Sequence, residues 1–116
     1  MDNAKEVLDT LKDKFEIVIV SMGVHPNLFG KKIWIKDNIS FAKFIGIDME
    51  KYKDKSYIDM SDGILIDDEQ RYLDSSNANM KICFGDEYEW NENWKGKRCF
   101  NWTELENYLM EGSEHE

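Results

Sequence analysis

The stretch MKICFGDEYEWNENWKGKRCFNW, residues 80–102, decides how this chain is read. Residues 80–84 alternate, with Met80, Ile82 and Phe84 on one side, as a strand should. The alternation continues imperfectly from 86 to 94. Trp94-Lys95-Gly96-Lys97 then supplies turn chemistry, and 98–102 returns in apolar form. On this reading the segment is an antiparallel hairpin. Between Gly85 and Trp94 it carries four acidic side chains, three large aromatics and no basic residue. Extended backbone there would place Glu87, Glu89, Asn91 and Asn93 on one face, and Tyr88, Trp90, Glu92 and Trp94 on the other.

Upstream, residues 57–67 give a second hairpin signal, with Asp62-Gly63 as the turn between YIDM and ILID. Residues 69–79 connect the two hairpins. The run EIVIVSM, 16–22, is β-branched without polar alternation, which predicts a central strand covered on both faces. KKIWIK, 31–36, alternates and predicts another strand. Three helices complete the pattern. The N-terminal one has an apolar stripe of Ala4, Val7, Leu8, Leu11 and Phe15. The middle one is capped by Asp37 or Asn38, presents Phe41, Phe44 and Ile45, and ends at Gly46. The C-terminal one starts at a Thr103–Glu106 capping box and ends at Gly112. The expected fold is α+β: a mostly antiparallel sheet of about five to six strands with three helices, in a single domain over 1–116.

Charge is distributed unevenly. The net value is −9. Residues 1–55 hold ten lysines against nine acids, for +1, while 56–116 hold five basic residues against fifteen acids, for −10. Within 59–92, ten acids face only Arg71 and Lys81. Such a surface repels phosphate, so direct nucleic-acid binding is not expected, whereas a cationic partner is. The N-terminus is charged and periodic, unlike a signal peptide. The longest apolar run, Ile17–Val20, is too short for a bilayer. A cytoplasmic protein without membrane contact is expected, with Cys83 and Cys99 as free thiols.

Catalytic and metal signatures fail on inspection. Two Cys and two His do not supply a zinc set. DMSDGILIDDE, 59–69, looks like a calcium loop around Gly63, but Ile58 and Met60 would occupy ligand positions. No nucleophile has a convincing base, and the glycines are scattered rather than gathered into a phosphate loop. Neither catalytic residue, metal nor cofactor is expected.

What remains is an acidic, aromatic surface. Trp and Tyr bury large areas at little entropic cost, and surrounding carboxylates steer a basic partner. The expected contact set is Asp67, Asp68, Glu69, Asp74, Asp86, Glu87, Tyr88, Glu89, Trp90, Glu92 and Trp94. A small acidic domain of this kind fits an inhibitor in the style of bacterial immunity proteins, which neutralise nuclease toxins. A phage-type antagonist of a nucleic-acid-binding defence protein has the same style, and no specific motif ties the chain to either. A different class is a small-molecule-binding domain whose pocket is built from Trp34, Trp90, Trp94 and Trp102.

Overall fold

The computed structural model describes residues 3–115. The chain divides into two compact units, Met1–Lys53 and Asp54–Glu116. Among the described residues there are four helices and two sheets, of two and three strands, and both sheets are wholly parallel. The expected antiparallel sheet of five to six strands is therefore wrong, and so is the count of three helices.

The first unit contains helix α1 (Ala4–Leu11), strand β1 (Val18–Gly23), helix α2 (His25–Asn38) and strand β2 (Lys43–Asp48). β1 and β2 pair in parallel, from Val18 opposite Lys43 to Gly23 opposite Asp48. Parallel neighbours need a long crossover, and α2 supplies it. KKIWIK is thus helical. Pro26 sits in the first turn of α2, where its missing N–H is no loss. Leu28, Lys31 and Ile35, at helical spacing, turn to the sheet, while Ile33 and Trp34 stay exposed. The two-residue alternation of Ile33 and Ile35 never reported a strand's burial.

The expected middle helix is instead β2. Gly46 does not terminate anything; it admits α2. A Cβ there would meet the Phe44 ring at 3.2 Å and the Leu28 methyls at 3.4 Å. Register places Ile19, Ser21, Phe44 and Gly46 on the sheet face that meets α2.

The second unit contains strand β3 (Ile64–Asp67), helix α3 (Gln70–Ser75), strand β4 (Met80–Phe84), strand β5 (Lys97–Cys99) and helix α4 (Trp102–His115). The strands lie in the order β3-β4-β5. Residues 57–60 form no strand. Asp62-Gly63 closes a turn onto Met60, with the Gly63 N–H 2.8 Å from the Met60 carbonyl, and β3 begins after it. The quoted segment is no hairpin either. After β4, residues 85–96 carry the chain back so that β5 enters in parallel beside β4. Gly96 makes a seat for an indole: a Cβ would come within 2.7 Å of Trp94 Cζ2.

Parallel register sets which side chains share a face. Leu65, Asp67, Lys81, Cys83 and Arg98 lie on one side of the β3-β4-β5 sheet; Ile64, Ile66, Met80, Ile82, Phe84 and Cys99 lie on the other. Leu65, Cys83 and Leu73 of α3 form a buried cluster, with Met60, Ala78 and Trp94 packed against it. On the opposite side Trp102 packs on Phe84, ring centroids 4.8 Å apart. The two cysteines sit on adjacent strands but face opposite ways, so they remain free thiols. The C-terminal helix starts at Trp102, and its cap, Asn101, lies two residues before the expected Thr103. Asn101 Oδ1 accepts the Glu104 N–H at 2.9 Å, and Glu104 Oε1 accepts the Phe100 N–H at 3.1 Å. α4 also runs through Gly112 instead of stopping there.

Candidate functional site

Because the strands are parallel, their C-terminal ends share one edge. Asp67, Asp68 and Glu69 leave β3 there, and the 85–96 crossover leaves β4 beside them. The two acidic runs, separate in sequence, are thereby brought together. Backbone bonds join them directly: the Gln70 N–H donates to the Trp90 carbonyl at 3.1 Å.

Asn91 holds this edge in place. It is fully buried. Its Nδ2 donates to the Asp68 carbonyl at 2.8 Å and the Asp86 carbonyl at 3.3 Å. Its Oδ1 accepts the Tyr88 N–H at 2.9 Å and Arg98 Nη1 at 3.3 Å. The Arg98 Nη2 donates to the Asn91 carbonyl at 2.8 Å. One side chain thus ties the ends of β3, β4 and β5. A buried amide so placed replaces the ladder bonds that a loop lacks.

Beneath it lies an internal ion pair. Lys55 Nζ meets Asp67 Oδ2 at 2.5 Å, and both side chains are nearly inaccessible. Asp67 Oδ1 also accepts the Glu69 N–H at 3.2 Å. Asp67 is therefore buried as an internal support, unlike the exposed carboxylates around it. Asp68 remains exposed at the rim. Partial burial pushes its carboxyl above the usual carboxylate range, and the neighbouring Asp67 carboxylate adds to this.

Above the support stand Tyr88 and Trp90. Their rings stack, with centroids 4.5 Å apart and planes at 15°, and each side chain is nearly half exposed, at 47% and 46%. Asp86, Glu87, Glu89 and Glu92 are exposed around them. The expected two-faced strand is replaced by a turn: Tyr88 O accepts from the Asn91 N–H at 2.9 Å and the Glu92 N–H at 2.7 Å. That turn aims both aromatics outward. Trp94 is different. It packs inward on the Leu65–Leu73–Cys83 cluster, and its indole N–H donates to the Lys97 carbonyl at 3.0 Å.

Asp74 sits one turn along α3, bonded by Gln70 Nε2 at 3.2 Å, on the path away from this edge. Asp59 and Asp62 precede β3 and so belong to the opposite end of the strands. The structure thus gathers Asp68, Glu69, Asp86, Glu87, Tyr88, Glu89, Trp90 and Glu92, with Asp67 and Trp94 beneath them. Sequence reasoning missed Asn91, Arg98 and Lys55, the polar groups that position the rest. The polar Asn91 amid aromatics was the one available signal, since a lone Asn in a turn caps the backbone.

Burial raises both thiols, Cys83 and Cys99, above their ordinary value, which keeps them protonated and inert. Among the described residues no group of three His, Cys, Asp or Glu is placed to hold a metal ion. No described helix is long and apolar enough to cross a membrane. The chemistry available at this edge is recognition of positive charge on an aromatic platform. No protein family, curated protein or solved structure matches this chain.

Proposed function

We propose that this protein binds a basic protein partner through the C-terminal edge of its β3-β4-β5 sheet. It acts there as an inhibitor of the immunity-protein type, in the cytoplasm, with a nuclease toxin as the partner class. The observation that carries this reading is the exposed Tyr88–Trp90 stack, ringed by carboxylates and held by a fully buried Asn91. Aromatics already fixed in place lose little entropy on binding, so their buried area converts efficiently into affinity. The carboxylates contribute mainly to association rate and partner choice.

A small-molecule pocket built from the four tryptophans draws no support. Trp94 and Trp102 lie on opposite sides of one sheet, and Trp90 points to solvent.

The test is capture of partners with the wild-type chain, Trp90→Ala, and a Glu87→Lys/Glu89→Lys pair, at low and high salt. A basic partner with nuclease activity that the wild type blocks is expected. Trp90→Ala should speed its dissociation by at least tenfold, about 1.4 kcal/mol. Charge reversal should slow association and flatten its salt dependence. A partner that ignores all three substitutions would remove this edge as the contact.

A further inference from the structure

Inside the first unit, between α2 and the β1-β2 sheet, lies a cavity of about 140 Å³. Ile19 and Ser21 of β1, Phe44 of β2, and Lys31, Trp34 and Ile35 of α2 line it. Register puts the first three on the sheet face that meets α2. Lys31, Trp34 and Ile35 stand at i, i+3 and i+4, so they form one arc of the helix. Phe29 and Ile33 lie on the far side of α2 and take no part. One contiguous surface, all of it within one unit, therefore carries the site.

The wall is almost wholly hydrocarbon. Its polar side chains are Lys31 and Ser21, with Lys31 Nζ donating to Ser21 Oγ at 2.9 Å. Serine is the acceptor in that bond, so its own O–H is left to donate, and the ammonium keeps further N–H donors. Among the described residues no carboxylate pairs with Lys31. Two donors and a positive charge at one wall, with hydrocarbon elsewhere, call for a ligand with an anionic end and an apolar body. Size narrows the choice. Drug-sized ligands fill roughly 300 Å³ or more, whereas roughly 150 Å³ of apolar cavity accepts benzene. Trp34 and Phe44 supply flat walls suited to a ring.

We propose that this cavity binds a single-ring aromatic monocarboxylate. The ring occupies the hydrocarbon space among Ile19, Trp34, Ile35 and Phe44. The carboxylate accepts from Lys31 Nζ and from the Ser21 hydroxyl. A second ring exceeds the volume, and a second charge would be held against hydrocarbon at a desolvation cost. A neutral amide of the same shape keeps the ring's contacts but loses the ion pair. The site shares no residue with the acidic edge, so either proposal can fail alone.

The experiment is an NMR titration of the full chain with benzoate, run beside benzamide and acetate and read at the four indole N–H signals. Saturable movement of the Trp34 signal with benzoate is expected, with Trp90 unmoved. Nuclear Overhauser contacts should join the benzoate ring protons to the Ile19 and Ile35 methyls. Acetate, which has no ring, should leave Trp34 still. Lys31→Met keeps the apolar stem and removes the charge on an exposed side chain, so the fold should persist. It should weaken benzoate by about fivefold, the upper range for an exposed ion pair, and leave benzamide unchanged. The proposal is overturned by a Trp34 signal that benzoate does not move, or by an equal response to acetate. It is equally overturned by equal affinity for benzamide, or by a benzoate preference that survives Lys31→Met.

Discussion

The outer face of α2 and the 85–96 crossover both present aromatic side chains to water, but their backbones are held in different ways. On α2 the helix satisfies its own N–H and C=O groups, so Phe29, Ile33 and Trp34 need no help to stay in place. The crossover has no such ladder. Its Tyr88 and Trp90 depend on Asn91, which is wholly buried and bonds to three strand ends. A surface on a helix is structurally cheap to alter. A surface on a loop is coupled to whatever polar group holds the loop. Substitutions in the two regions should therefore separate binding from stability to different degrees.

The largest effect should come from beneath the crossover. Lys55→Met leaves Asp67 buried and unpaired, which costs about 3–5 kcal/mol, measurable as a fall in the urea midpoint. Lys55→Met with Asp67→Leu should recover most of that loss, because paired burial of charge is itself costly. Next, Asn91→Ala strands two carbonyls, an N–H and part of Arg98, at a cost of about 3 kcal/mol. Hydrogen exchange should rise at Tyr88 and Gln70, whose N–H groups belong to that network. If Asn91→Ala left stability unchanged, the contrast between loop and helix would collapse.

How much of this was legible depended on whether a local pattern had one explanation. The stripe at Val7 and Leu11 did, and both are buried in α1 as expected. The run 16–22 supplies most of β1, as its β-branched residues implied. But β1 is one strand of a two-stranded sheet and only partly buried, not a central strand covered on both faces. KKIWIK had two explanations. Six residues cannot separate a period of 2 from one of 3.6 when the helix also exposes apolar residues. The segment 80–102 misled more deeply. Strand, turn signal and returning strand describe a hairpin, but the same signals describe a parallel pair if the middle crosses back. Only tertiary placement decides between them, through Trp94 on the Leu65 cluster and Asn91 among three strand ends. The acidic and aromatic residues of the site were visible by composition. Their gathering at one edge was not, because it follows from parallel topology.

Substitutions on α2 should do little to folding. Phe29→Ser and Trp34→Ser are expected to change stability by no more than about 0.5 kcal/mol, since both side chains are more than half exposed. A loss of several kcal/mol at either would mean that the outer face is part of a core and would break the comparison from the other side.

The smallest effect tests the acidic rim by pH. Asp68 has its carboxyl raised in the folded state by partial burial and by Asp67. A raised carboxyl binds its proton more tightly when folded, so its ionisation opposes folding. That opposition is present in full above the folded value and disappears as pH falls below the ordinary carboxylate range. Asp68→Asn should therefore stabilise the protein at neutral pH, by no more than about 0.5 kcal/mol because the side chain is exposed. The gain should vanish in acid, as urea midpoints of the two proteins converge. A gain that persists unchanged at low pH would show that Asp68 acts through its shape and hydrogen bonds, not through its charge. It would also remove repulsion from Asp67 as a cause of the raised carboxyl.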